Sequence, residues 1–278
     1  MKITFVGLSS YLIEDSKGGR LLIDLFRDEP EYSFGLTLPS TLKADIFLAS
    51  HADADHSNLD EKYTEHFKKT DEKNDVDIKI FPDLDLKGSL VREWNGDLCF
   101  AYHFTVDGFR CLHLADNSHP LTNKQISDFG KIDILFISMP KSRSDIVETE
   151  LDIINKLKPS IIIPSHTVPL SLKDVGMGYE NIHSKLAKIV LPQTSNPQAN
   201  EKTVDVFTCM LLAAKNLTKH FAVKEINECD VEIKELPTEQ TIYYFDKCLS
   251  KYWFIAKKVP TTSHLSRQKN LVLADPTT

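Results

Sequence analysis

The sequence predicts an α/β domain of layered architecture, with sheets inside and helices outside, and three observations carry that prediction. The first half is a succession of short runs rich in β-branched, aromatic and aliphatic residues. The second half alternates such runs with segments of helical periodicity. His and Asp residues recur just past the ends of several runs, as they would on one rim of a layered fold.

Composition narrows the class before any element is placed. The chain has 278 residues, 41% hydrophobic and 26% charged, close to the globular average, which excludes disordered and collagen-like chains. At about 150 residues per domain it forms one large domain or two small ones. No apolar run approaches the roughly 18 residues needed to span a bilayer, and the opening Met1 to Leu8 lacks the pattern of a signal peptide. A net charge of −7 gives no basic face for duplex nucleic acid. The cysteines number five, widely spaced and without a C-x-x-C pair. We therefore expect buried, reduced thiols, no thiolate zinc finger and a cytoplasmic location.

The elements follow in order. Ile3 to Val6, Tyr11 to Ile13 and Leu21 to Leu25 read as strands, with Gly18-Gly19 turning between the last two. Asp45 to Ser50 is a fourth run and leads straight into a cluster of His and Asp. The densely charged residues 58–76 predict a solvated helix and loop. Leu98 to Val106 and Phe109 to Ala115 predict a hairpin turning at Asp107-Gly108. Thr122-Asn123-Lys124-Gln125 has capping-box spacing, and Gly130 closes that helix. Ile132 to Met139 is a buried-type strand. Val147, Leu151 and Ile154 recur at helical spacing until Pro159 stops them, and Ile161 to Pro164 is the next strand, ending at Ser165-His166.

Beyond Leu170 the signal weakens. Pro192 to Gln198 reads as a loop, Phe207 to Phe221 as a helix, and Val231 to Leu236 with Thr241 to Phe245 as a final strand pair around Pro237. The expected division is a domain of residues 1–169 and 229–246, with 170–228 an insertion or cap and 247–278 a loosely held tail.

Chemistry concentrates in Ser50-His51-Ala52-Asp53-Ala54-Asp55-His56, where four candidate ligands (His51, Asp53, Asp55, His56) directly follow an apolar strand. Imidazole and carboxylate suit zinc, manganese or iron. A polar surface turn in which Asp caps the next helix would have the same spacing. Asp116 follows a strand in His113-Leu114-Ala115-Asp116, His166 follows another, and Asp24 ends Leu21-Leu22-Ile23. Several such residues at strand ends favour a metal site.

The order His51-x-Asp53-x-Asp55-His56, then Asp116, then His166 resembles the metallo-β-lactamase fold superfamily, most closely the branch that contains ascorbate-phosphate lactonase. The opening Lys2 to Glu14 and the stretch Asp107 to Thr167 support the likeness. It covers about residues 1–167 and the strands near 231–246. It implies a four-layered αββα sandwich with a C-terminal insertion and tail. It further implies that Asp55, His56 and His166 hold one ion, that Asp116 bridges two, and that His51 serves the other. Asp53 stands where the family has a second His. The third-motif His is missing from Phe81 to Gly88, where Asp83 or Asp85 could substitute. Leu8 replaces a usual His and Ala115 a usual Gly.

The resulting expectation is a metal-dependent hydrolase acting on an ester, lactone or phosphoester. The cofactor is Zn or Mn, one ion tightly held and the second weak or absent. Asp55 or Asp53 would accept a proton during catalysis. Lys141 and Arg143, and also His119, would bind an anionic small-molecule substrate, although a solvated loop is the commoner reading of 141–144. His113 is expected to be structural. The rival class is a degenerate, non-catalytic member that binds a ligand or partner in the same pocket, and a nuclease is the third. Neither membrane nor nucleic acid is expected as a partner; self-association is compatible with a cap at 170–228.

Overall fold

The computed structural model describes residues 1–27, 38, 42–58, 77–78, 84–93, 95–139, 147–170 and 206–249. Its strands are β1 (Lys2–Gly7), β2 (Ser10–Glu14), β3 (Arg20–Ile23), β4 (Ile46–Leu48), β5 (Asp77–Ile78), β6 (Leu86–Arg92), β7 (Leu98–Val106), β8 (Phe109–His113), β9 (Ile134–Ser138), β10 (Ile161–Ser165), β11 (Ala222–Glu225), β12 (Asp230–Glu232) and β13 (Thr241–Tyr244). Its helices are α1 (Asn123–Phe129), α2 (Glu148–Leu157) and α3 (Val206–Leu217).

The strands form two sheets. One has the order β12-β1-β2-β3-β4 and the other β11-β13-β10-β9-β8-β7-β6-β5. Period-2 alternation explains why the two stack. Ile3 and Phe5 of β1, with Leu21 and Ile23 of β3, enter the shared core, while Val6, Leu22 and Phe47 turn to the opposite face and pack with Leu25, Phe26 and Leu38. Tyr11 meets Phe136 across the sheets at a ring separation of 4.7 Å, and Phe5 stacks on Phe245 at 5.6 Å. Strands β9 and β10 are buried at every position. A strand hidden on both faces needs cover on the second. Phe129 of α1, Ile153, Ile154 and Leu157 of α2, and Ala213, Ala214 and Leu217 of α3 join the same cluster. The molecule is therefore an α/β sandwich, as predicted.

Local signals hold where they were strong. Asp107 and Gly108 have φ of 49° and 81°, the left-handed pair of a type I′ turn. Thr122 and Gln125 form a reciprocal capping box, with Gly130 at the C-cap of α1. Lys158, left-handed at φ 51°, ends α2 before Pro159.

The structure also corrects the sequence reading. Strand β3 stops at Ile23, and α3 stops at Leu217. The chain then turns into β11, which pairs in parallel with β13 at the edge of the larger sheet. The described end of 170–228, from 206 onward, is thus part of the sheet domain. The expected final strand pair is no pair: β12 joins β1 antiparallel in one sheet, while β13 joins β10 and β11 in the other. Strand β6 was not foreseen because Gly88 interrupts its apolar pattern; a Cβ there would come within 3.3 Å of the Phe100 ring. The cysteines are not all reduced either. Cys229 and Cys248 form a disulfide with Cα atoms 5.0 Å apart, whereas Cys99 and Cys111 are free and buried. Apart from Asn58, the charged stretch expected at 58–76 lies outside the described residues. No helix among the described residues is long and apolar enough to cross a membrane.

Candidate metal centre

Strands β3 and β4 run parallel, as do β8, β9 and β10, so within each sheet their C-terminal ends share a rim. Asp24, His51, Asp116 and His166 all lie just past such ends. The backbone there is unusual. Leu8, Asp24, Ala115 and His166 have φ of 54°, 52°, 51° and 48°, the left-handed region that non-glycine residues rarely occupy. Concentrated strain of this kind marks sites that surrounding structure over-determines. It also explains the usual Gly at position 115. The His166 amide donates to Leu8 O at 3.1 Å, which locks its turn.

Asp24 is fully buried and anchors the site from behind. Its carboxylate accepts from the Ser50 amide at 2.6 Å, Ser50 Oγ at 2.8 Å, His56 Nδ1 at 2.9 Å and His113 Nε2 at 2.7 Å. Burial alone would raise the Asp24 carboxyl, but the charges and hydrogen bonds of His56 and His113 outweigh it and hold the group ionised well below the usual range. A carboxylate on Nδ1 fixes the His56 tautomer and leaves Nε2 facing the site. His113 thus acts through Asp24, consistent with a structural role.

In front of this anchor, four donor groups converge. His166 Nε2 lies 3.1 Å from His56 Nε2 and 3.1 Å from Asp116 Oδ1; His56 Nε2 lies 3.4 Å from Asp116 Oδ2; Asp55 Oδ2 lies 3.7 Å from His56 Nε2 and 3.9 Å from His166 Nε2. Donors about 2.1 Å from a tetrahedral ion would be about 3.4 Å apart, so the residues present fit a divalent cation. Burial works against charge on His56, but Asp116, Asp55 and Asp24 outweigh it and hold its pKa well above 6.5 in the protein alone. Ser138 Oγ donates to Asp116 Oδ1 at 3.2 Å and orients the carboxylate.

The remaining predicted residues divide. His51 belongs to a second group with Glu93 and Cys99, whose donor atoms lie within 4.8 Å of one another. Its ring centroid is 4.1 Å from that of His56. Asp53 joins neither group: its side chain is 68% exposed at the mouth, with Oδ2 3.8 Å from His51 Nε2. His119 is exposed and its Nδ1 sits 3.3 Å from Arg92 O. Asp85 is exposed and pairs with Lys87 at 3.9 Å, so it does not take the place of the absent third-motif His. Lys141, Arg143 and Asp83 lie outside the described residues. Glu93 and Cys99 were missed. The Asn95-Gly96 turn between two apolar runs was the signal that could have placed both at the ends of one hairpin. Burial, reinforced by Asp116 and Glu93, pushes the Cys99 thiol pKa far up.

Residues 2–166 match the family model of the β-lactamase superfamily domain. A structure described as a Zn-dependent hydrolase of the metallo-β-lactamase superfamily from Thermotoga maritima superposes with TM-score 0.56 at 18% identity, covering 87% of this chain and 97% of its own, a likeness that shows the fold. A metal-dependent hydrolase from Parabacteroides distasonis (TM-score 0.44, 17% identity, 59% and 81% covered) and a metallo hydrolase from Ignicoccus hospitalis (0.43, 14%, 60% and 82%) are more distant and carry no argument. A search of curated protein sequences finds no match. With its family model spanning more than half of the chain and its four donor groups gathered past strand ends of both sheets, the protein belongs to the metallo-β-lactamase superfamily.

Proposed function

We propose that this protein is a metal-dependent hydrolase that cleaves an ester, lactone or phosphoester in a small anionic molecule. The observation that carries the reading is the convergence of His56, His166, Asp55 and Asp116, with His56 tied back through Nδ1 to a buried carboxylate. Asp55, His56, Asp116 and His166 hold one tightly bound ion, Zn or Mn, and Asp116 faces both His56 and His166. A divalent ion bound there supplies a water of lowered pKa and polarises the carbonyl or phosphoryl group.

The chain's own residues do the rest. Asp24 keeps the His56 imidazole in the donor tautomer, and Ser138 holds Asp116 in place. Asp53, exposed beside His51, would be the carboxylate available to accept a proton and pass it to solvent. Lys141, Arg143 and exposed His119 are the residues assigned to binding the substrate's anionic portion. The resemblance to the lactonase branch favours a lactone or ester.

The test combines metal analysis after dialysis with a hydrolase screen in Zn and Mn. We expect turnover that a chelator abolishes. Asp116→Asn should lose metal and reduce the rate by at least about 100-fold while circular dichroism is unchanged. Full metal content and rate in that variant would overturn the assignment.

A further inference from the structure

His166 supplies its imidazole from a backbone conformation that does not favour it. Its φ of 48° lies in the left-handed region, which a histidine leaves for extended backbone unless it is held. Its Nε2 nevertheless stands 3.1 Å from both Asp116 Oδ1 and His56 Nε2. The amide bond to Leu8 O fixes one point of the turn. The chain on either side of that point must be fixed as well.

Two tyrosines do this, one from each sheet. Tyr11 of β2 donates from its hydroxyl to Pro164 O at 3.2 Å and accepts from Ser165 Oγ at 3.4 Å. Tyr244, the last residue of β13, donates to Val168 O at 2.6 Å and accepts from the Thr167 hydroxyl. The two grips are symmetric about His166. Each phenol accepts from the residue adjoining His166 and donates to the carbonyl one position further out. Both side chains are buried, and burial pushes both phenols far above neutral pH, so they stay protonated and can only serve as donors of this kind. Their rings are locked in turn. Tyr11 packs on Phe5 at 5.5 Å and on Phe136 at 4.7 Å, while Phe245, next to Tyr244, stacks on Phe5 at 5.6 Å. Asp246 extends the second grip by accepting from the Leu170 amide. Phenylalanine cannot replace either tyrosine in this role, because each hydroxyl serves a carbonyl of a buried residue.

We propose that Tyr11 and Tyr244 are positioning residues of the metal centre, a paired brace that holds the left-handed turn at 166 so that His166 Nε2 faces Asp116 and His56. The proposal rests on the hydrolase reading for the ion and deepens it by assigning how one of the four ligands is placed. Strand β13 lies beyond residues 2–166, which match the family model, so half of the brace comes from outside the matched segment. Without the hydroxyls the turn relaxes toward extended backbone, and the imidazole swings out of register with the other three ligands. A ligand that must be ordered at each binding event lowers affinity, whereas a braced one is already in place.

The full chain loaded with cobalt(II) tests this, because visible absorption reports the ion's coordination geometry and competition with a chelator reports its affinity. Tyr11→Phe and Tyr244→Phe should each weaken cobalt retention at least about tenfold and shift the visible band. Ile242→Val trims the core on the same strand and removes no hydrogen bond. It should lower the melting temperature while both cobalt readouts stay as in the wild type. If Tyr244→Phe fails to fold, Thr167→Val, which removes only the hydroxyl that reaches Tyr244, should show the same changes to a smaller degree. Retention and band unchanged in the tyrosine variants, or in Thr167→Val where it stands in, would overturn the brace and leave the hydrolase reading in place. Equal changes in Ile242→Val would do the same, since they would reduce the tyrosines to ordinary core residues. A wild-type chain that binds no cobalt would overturn both.

Discussion

Asp24 belongs to neither donor group, yet four donors from three residues end on it. Replacing it with Asn puts an amide where an acceptor of several bonds is needed, so His56 loses the force that keeps its Nδ1 protonated. Asp24→Asn should weaken ion retention by about 10- to 100-fold, read by competition with a chelator; unaltered retention would show that the His56 tautomer is fixed elsewhere. The same neighbourhood sets the pH dependence. Because the folded pKa of His56 is raised above 6.5, its contribution to the metal-free fold is fully present below about pH 6.5 and is lost as pH rises through the folded value. Ion binding has the opposite sign, since the ion must displace that proton. Ion affinity should rise by up to about tenfold per pH unit until the folded pKa is passed. A flat profile across neutral pH would exclude His56 as a ligand. Single-residue signals of this kind were largely legible in the sequence: His51, Asp55, His56, Asp116 and His166 all stand at strand ends. Glu93 was not, because one carboxylate near a turn resembles any solvated turn residue until its burial is known.

At the scale of elements, legibility followed the strength of local signals. Asp107-Gly108, the Thr122 capping box and the apolar runs of β9 and β10 are each encoded within a few neighbouring residues. Sheet membership is not encoded that way. β12 and β13 lie close in sequence with Pro237 between them, but one completes the smaller sheet and the other enters the larger as a parallel strand. Period-2 patterning names the buried face of a strand, not its partner. Several strand ends at the site carry a left-handed residue, which is the site residue itself at Asp24 and His166 and its predecessor at Ala115, and Ala115 is the one of these with the least reason to be there. An L-residue at φ 51° costs about 1–2 kcal/mol, more than the roughly 0.5–1 kcal/mol that glycine's flexibility normally costs. Ala115→Gly should therefore be neutral to stabilising by up to about 1 kcal/mol in denaturant titration, the reverse of the usual sign. A loss of more than about 0.5 kcal/mol would show that the turn is not strained.

Across the whole molecule, the edge where β12 and β13 part company is the place that most needs fastening. Cys229 immediately precedes β12 and Cys248 follows β13, so their disulfide ties a strand of one sheet to a strand of the other. The Cys229 carbonyl also accepts from the Phe5 amide at 2.7 Å, which couples the bridge to β1. An odd number of scattered cysteines gave no hint of this pairing, because the partners meet only once both sheets exist. The bridge also removes the support that reduced thiols lent to a cytoplasmic location. A closed loop spanning a separation of 19 residues should stabilise the fold by about 3 kcal/mol through the unfolded chain. The Cys229→Ala, Cys248→Ala double variant should then melt about 6–10 °C lower. Its metal content should not change, because neither cysteine belongs to either donor group. Equal melting temperatures would mean that hydrogen bonding and core packing alone hold that edge, and a fall in metal content would mean that the rim depends on how the two sheets are held together.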